Sequence, residues 1–548
     1  MSADAVLDWN AVALQAVAND HTPSIVLRAE QGGPTKTTRA LGIVHAAIFD
    51  AVNSIDRSYT PYLISTGGPR SASIDAAAGQ AAHDTLVALY PSQKLMFDLA
   101  LNSTLRDIPN GPAELQGILI GKTVAKAILA ARANDHSQTP ADFVNVNEAG
   151  HFQTYPGEPG ALSPGWGDVH TFAIPSAAQF LAPPPPAMNT PEYAAAYNEV
   201  KSLGGDGITT PTLRTAEQTE IGIFWGYDGV PGLGTPPRLY NQIARTIADT
   251  QHNTEVQNAR LFALVNIAMA DAGIASWDTK YEYDIWRPVR GICQVDLLGA
   301  AIDDGNAATS PDPTWKPLGA PFTNGPAGAT NFTPPFPAYT SGHATFGAAL
   351  FETLTRFYGR DDMTFTIGSD EFNGINRDVD QSVRPVVTRT YDSFSEASEE
   401  NGQSRIYLGI HWAFDKTAGI TQGNAIANYV FDNFLKPIIV APSLRSLMAF
   451  ARPVVNVPVP PPIAGQAAVA LAAPKAAQAV STNITSNLVV APAQVKNSTA
   501  PATVSAATTQ AAATLADPNK VGLPVRRSLK DLVAQQPASL RVTTSLRN

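Results

Sequence analysis

Three separated stretches of this 548-residue chain carry groups suited to holding a tetrahedral oxyanion: Lys280 to Pro288, Phe336 to His343, and Ser404 to Trp412. Between them they offer the Lys280 ammonium, the guanidinium groups of Arg287 and Arg405, the Ser341 hydroxyl, the amide at Gly342, and the imidazoles of His343 and His411. Positive and neutral donors of this kind grip phosphate-like anions through charge-assisted hydrogen bonds. No carboxylate occupies a donor position, and one imidazole is left over to attack or to ligate.

The elements that must position these groups follow from spacing. Seven residues at about 100° each return to within about 20° of the starting direction, so Lys280 and Arg287 are expected on one helix face. Pro288, which cannot continue a helix interior, is expected to end that helix just after Arg287. Flanking Tyr281, Tyr283, Ile285 and Trp286 argue that the pair is buried. In the second stretch the run Thr333 to Pro337 gives way to helical apolar spacing at Phe346, Leu350, Leu354 and Phe357. Ser341 is the natural N-cap of that helix, whose free N–H groups and dipole favour an anion, and Gly342 permits close approach to the backbone. Arg405 and His411 lie six residues apart, about 120° on a straight helix, and Gly409 between them allows a helix end. Taken singly, the stretches also read as a solvated Lys–Arg pair, a plain cap and a core histidine beside Trp412. Their conjunction, in this order, is what points to an anion site.

The pattern K-x6-R-P, P-x-Y-x-S-G-H and S-R-x3-G-x-H resembles the vanadium-dependent haloperoxidases, which share their site with type 2 phosphatidic acid phosphatases and bacterial acid phosphatases. Phe224 to Gly229, Gly234 to Tyr240 and Ala270 to Trp277 also look like the fungal chloroperoxidase branch, so the likeness spans roughly residues 200 to 435. The resemblance implies an all-α fold of two helical bundles. The N-terminal bundle would occupy residues 1–200, with an irregular stretch at 136–188. A vanadate-binding bundle would occupy 201–440 and carry the active site.

By the same resemblance, His411 would bind vanadium, or accept a phosphoryl group in a phosphatase. Lys280, Arg287, Ser341, Gly342 and Arg405 would hydrogen-bond the equatorial oxygens, and His343 would be the acid–base residue on the apical side. Lys280 would also polarise bound peroxide, Asp228 would orient Arg405, and Trp277 and Phe336 would lie near the peroxide and halide. Vanadate is the implied cofactor, with no haem and no nucleotide. Hydrogen peroxide, a halide (chloride or bromide) and a small organic acceptor are the implied partners, and hypohalous acid the product of a peroxovanadate bound to His411. Algal bromoperoxidases carry histidine where Phe336 stands, so this residue leans toward chloroperoxidase-type chemistry. Thr340 departs from the proline of the fungal enzymes and bears on the rigidity of the loop. A soluble acid phosphatase working through a phosphohistidine at His411 is the alternative reading of the same residues.

Composition is consistent with this. At 44% hydrophobic residues the chain can bury a large core. Its single cysteine, Cys293, excludes an intrachain disulfide framework and is expected to be a small core residue. No H-E-x-x-H, C-x-x-C or phosphate-binding glycine loop is present. Helices are expected at 37–55, 72–90, 92–107, 113–134, from Pro191, and at 213–227, 237–250, 253–279, 341–358 and 415–435. His45 and His83 fall inside helices, outside any motif, and are expected to be structural.

Residues 441–548 contain one aromatic, Phe450, and carry a net +8, leaving −18 on residues 1–440. This segment is expected to be a disordered tail, and the acidic remainder argues against nucleic acid or a lipid surface as partner. No signal peptide is visible at Met1 to Asn10, and no uncharged apolar run suffices for a transmembrane segment. A soluble enzyme is therefore expected, with export left open by the resemblance.

Overall fold

The computed structural model describes residues 4–154, 160–296 and 299–438. The expected disordered tail lies outside the described residues. Among those residues the regular structure is almost entirely helical, joined by long irregular stretches. The N-terminal half holds α1 (Ala5–Asp20), α2 (Pro34–Asp56), α3 (Ile74–Leu89), α4 (Lys94–Arg106), α5 (Pro112–Ala131) and α6 (Pro191–Leu203). There follow α7 (Ala216–Phe224), α8 (Pro236–Thr250), α9 (Glu255–Tyr283), α10 (Pro288–Cys293) and α11 (Gly342–Tyr358). A two-stranded antiparallel sheet, β1 (Phe365–Asn373) and β2 (Val386–Tyr391), precedes α12 (Phe394–Tyr407) and α13 (Ala413–Asn433).

The organising element is α9. Thr254 caps it in a reciprocal box with Gln257, which satisfies two donors that every helix start leaves free. Helices α2, α11 and α13 pack around it. From Asn258 to Trp277 every residue is buried. It is long and apolar enough to cross a membrane, although Arg260 and Asp271 interrupt the apolar run, and its apolar window is wholly enclosed by protein. One core runs continuously from Ala5 on α1 to Leu435 beyond α13.

Two helices that carry the site meet at unusually close range. Gly419 and Gly423 lie one turn apart on α13 and face α11. A methyl added at Gly423 would stand 2.3 Å from the Thr345 carbonyl oxygen, and one at Gly419 would stand 2.9 Å from that of Ser341. Only hydrogen at these positions lets the backbones approach so closely, and this brings the start of α11 against the start of α13.

The expected helices are all present, with ends shifted by a few residues. Three features differ. Helix α9 stops at Tyr283, where Asp284 takes a left-handed conformation (φ 50°), so Arg287 does not share its face with Lys280. Pro288 begins a helix instead of ending one: Arg287 is the N-cap of α10 and Pro288 occupies its first turn, where a missing N–H costs nothing. Helix α1, the β1–β2 pair and α12 had no counterpart among the expected helices. Three single-residue expectations hold: Cys293 is buried, His45 meets Asn10, and His83 sits between Asp84 and Asp98.

Gly423→Ala tests the seam. Alanine in a helix is ordinarily favoured over glycine by about 1 kcal/mol, but here overpacking should reverse the sign and cost about 1–3 kcal/mol. Urea denaturation of the variant checks this, and a gain in stability would contradict the close approach.

Candidate active site

The site forms where five helices end. Lys280 is in the last turn of α9, Arg287 caps α10, and Ser341 caps α11 with Gly342 and His343 in its first turn. Arg405 is in the last turn of α12, and His411 precedes the Trp412 N-cap of α13. Gly409, at φ 74°, ends the α12 run and touches the Gly204 backbone so closely that no side chain fits. All the predicted donors are thereby brought together, deep in the protein: Lys280 is 0% exposed, Arg287 and Arg405 1%, and His411 2%.

A cavity of about 170 Å³ opens beside them, and Lys280, Arg287 and Ser341 stand behind its lining. Gly342, His343, Arg405, His411 and Asp228 line its polar side, and Trp277, Phe336, Phe346 and Phe332 its apolar side. The Trp277 and Phe336 rings lie 4.9 Å apart. Leu162 and Pro335 also contribute to the wall, so one residue of the irregular 136–188 stretch reaches the site. The Leu162 backbone is stitched in place: its N–H donates to the Pro335 carbonyl at 2.8 Å, and its carbonyl accepts from Trp277 Nε1 and the Tyr281 hydroxyl.

Each imidazole has its tautomer fixed by an acceptor. Asp415 Oδ2 accepts the Trp412 amide at 2.9 Å and stands 2.9 Å from His411 Nδ1, so Nδ1 carries the proton. His411 Nε2 is then a lone pair, and Arg287 Nη1 donates to it at 3.0 Å. His343 Nε2 lies 2.8 Å from the Gly226 carbonyl, which can only accept, so Nε2 carries the proton and Nδ1 is the free base. Burial, aided by the Arg405 charge, holds His343 down to about 3, leaving it neutral at physiological pH. His411 is pushed well below its usual range by burial and by Arg287 and Lys280.

The cations are braced by backbone carbonyls. Lys280 Nζ donates to Pro337 and Ala338 at 2.9 and 3.1 Å, and to Thr340. Burial, then the Arg287 charge, pushes this amine well below the usual lysine range, and a bound oxyanion would have to displace a carbonyl to gain its hydrogen bond. Arg287 donates to Phe336 and Ile410, both at 2.8 Å. Burial pulls its guanidinium down to about 9. Arg405 Nη2 pairs with Asp228 at 2.6 Å, as expected. Thr340, at the position of the fungal proline, is buried, and its hydroxyl meets Gln422 at 2.9 Å and Ser276 at 3.1 Å, so hydrogen bonds hold this loop.

What the cage is built to receive is marked by donors left without partners. Arg287 Nη2, Arg405 Nε and Arg405 Nη1 are buried and make no hydrogen bond within the protein. Burying such donors is costly unless something accepts from them. Beside them stand the start of α11 and His411 Nε2, whose lone pair a ligand would take over from Arg287 Nη1, so an oxyanion that takes one nitrogen ligand fits this donor set. Among the described residues, no group of three His, Cys, Asp or Glu side chains is arranged to hold a bare cation.

Comparison with known proteins agrees. Residues 260–438 match the family described as the VCPO second helical-bundle domain. The chain is 34% identical over 501 residues to the vanadium chloroperoxidase of Curvularia inaequalis, covering 75% of this chain and 79% of that protein. The chain belongs to the vanadium haloperoxidase family. Its fold is similar to that of a bacterial vanadium-dependent iodoperoxidase, with a TM-score of 0.63 at 23% identity over 79% of this chain and 98% of the other. A bacterial vanadium-dependent chloroperoxidase in its holo form gives 0.52 at 16% identity over 73% and 92%.

Asp415 was not singled out from the sequence, because a tryptophan three residues before it is not a capping residue and marks no helix start. It joins three parts of the site, since its carbonyl also accepts the Ser341 amide at 3.0 Å. Burial lifts its carboxyl to about 7 against the pull of the Trp412 amide, Lys280 and Arg287. Partners that orient a metal-binding histidine typically govern about 10- to 100-fold in affinity. Asp415→Asn is expected to weaken orthovanadate binding by that factor in equilibrium dialysis with vanadium quantitation, and unaltered binding would remove Asp415 from the site.

Proposed function

We propose that this protein is a vanadate-dependent haloperoxidase that uses hydrogen peroxide to oxidise chloride or bromide to hypohalous acid. The observation carrying this reading is the trio of unpaired guanidinium donors beside the His411 lone pair, in a chain of this family. Arg287 Nη2, Arg405 Nε and Nη1, the Gly342 amide and the Ser341 hydroxyl would hold the oxygens of vanadate, and His411 Nε2 its metal. Bound there, vanadate supplies a Lewis-acid centre that makes peroxide electrophilic without an electron-transfer partner. His343 Nδ1 takes the proton that hydrogen peroxide loses on binding and returns it as product leaves. Lys280 contributes positive charge from behind the carbonyls of the 337–340 loop, and Asp228 fixes Arg405. Trp277 and Phe336 exclude water from the halide's approach and give it an apolar wall. We also propose the division of the fold into bundles over 1–200 and 201–440, with the site on the second.

Reconstitution decides the matter. Anion-free protein given orthovanadate should gain peroxide-dependent halogenation of a phenolic dye, with chloride, bromide and iodide assayed in parallel to grade oxidising power. No halogenation, together with turnover of p-nitrophenyl phosphate by the anion-free form, would give the site to phosphoryl transfer instead.

The acid–base assignment has its own test. Loss of a general base typically costs about 10²- to 10⁴-fold, so His343→Ala should lower kcat by that order while orthovanadate affinity changes far less. A variant that keeps the wild-type rate would refute the role.

A further inference from the structure

Two contacts on which the proposed chemistry relies come from a single turn. The Gly226 carbonyl sets the tautomer of His343, and Asp228 holds Arg405. Between them Tyr227 adopts φ 59°, a conformation that a side chain of this size rarely keeps without outside restraint. The restraint comes from β1. Ser369 Oγ donates to the Phe224 carbonyl at 2.6 Å, the Asp370 amide donates to the Tyr227 hydroxyl at 2.7 Å, and Glu371 Oε1 accepts the Tyr227 amide at 3.0 Å.

Glu371 is itself immobilised. It is 0% exposed, and its other oxygen accepts from Arg384 Nη1 at 2.6 Å and from the Thr323 hydroxyl. Arg384 also donates to Thr323 at 2.7 Å, which closes a buried triangle behind the turn. The contact is tight on the other side as well, since a methyl at Gly226 would meet Glu371 Oε1 at 2.4 Å.

Resting on the proposed function, we infer that Glu371 is a positioning residue for the anion cage: through the Tyr227 amide it fixes the turn that presents the Gly226 carbonyl to His343 and the Asp228 carboxylate to Arg405. The sheet thereby sets both the free nitrogen of the acid–base residue and the direction of one anion-holding guanidinium, without touching either. A carboxylate suits this place because it faces only donors, namely an amide, a hydroxyl and a guanidinium. Glutamine would turn one N–H₂ against one of them.

The test uses full-length, anion-free protein and the variants Glu371→Gln and Gly226→Ala. Nitrogen spectra of histidine-labelled protein, with the His343 signal assigned by its loss in His343→Ala, should report a single Nε2–H tautomer in the wild type. Both variants should show mixed tautomers and bind orthovanadate at least tenfold more weakly. Should Glu371→Gln fail to fold, Gly226→Ala and the milder Thr323→Val decide. Folded variants that lose only thermal stability, with wild-type tautomer and affinity, would reduce Glu371 to a structural residue and overturn the inference. A wild type that binds no orthovanadate would remove the proposed function but leave the tautomer comparison standing, since that readout needs no anion.

Discussion

Three basic side chains buried close together, Lys280, Arg287 and Arg405, the last lining the cavity, are the constraint around which the rest of this protein is arranged. Like charges in a region of low dielectric repel strongly, and burial alone disfavours each charged form. The protein answers with backbone. Carbonyls of Phe336, Pro337, Ala338, Thr340 and Ile410 accept from Lys280 and Arg287, and the Asp228 and Asp415 carboxylates supply countercharge nearby. Carbonyls in that number are free only where regular structure stops, which is why the site lies at helix ends and in the 336–340 loop. The glycine seam between α11 and α13 follows from the same demand, because two of those ends must nearly touch.

The two imidazoles show how backbone and carboxylate acceptors divide the chemistry. His411 keeps its proton on Nδ1 and His343 on Nε2, so each ring presents one lone pair and the two rings are opposite tautomers. A ring with a single fixed lone pair acts as a ligand or as a base without competition from its other nitrogen. The distinction is made one layer away from the cavity, by Asp415 and by the Gly226 carbonyl.

Much of this was legible in the sequence because donor identity and helix starts are local properties. Ser341 as a cap, Gly342 and His343 behind it, and Asp228 as the partner of Arg405 could be read from motif and resemblance. The placing of Lys280 and Arg287 on one helix was not correct, since Pro288 is as compatible with a first turn as with a last one, and Asp284 in a left-handed conformation decided the case. Asp415 and Glu371 were illegible for a different reason. Each acts through hydrogen bonds to segments remote in sequence or to main-chain amides, and neither lies in a donor motif. The β1–β2 pair likewise reads poorly, since the β1 residues 369–373 are buried whichever way they point, erasing the alternation that marks a half-exposed strand.

The attachment of Leu162 has a consequence for how such an enzyme can diversify. Its hydrogen-bonded hold on the cavity wall is made by main-chain atoms, which any residue except proline would supply in full, while its side chain packs against the core beside the cavity. The shape of the wall and the charged interior are thus separately heritable: exchange at this one codon can reshape the wall while the main-chain latch stays as it was.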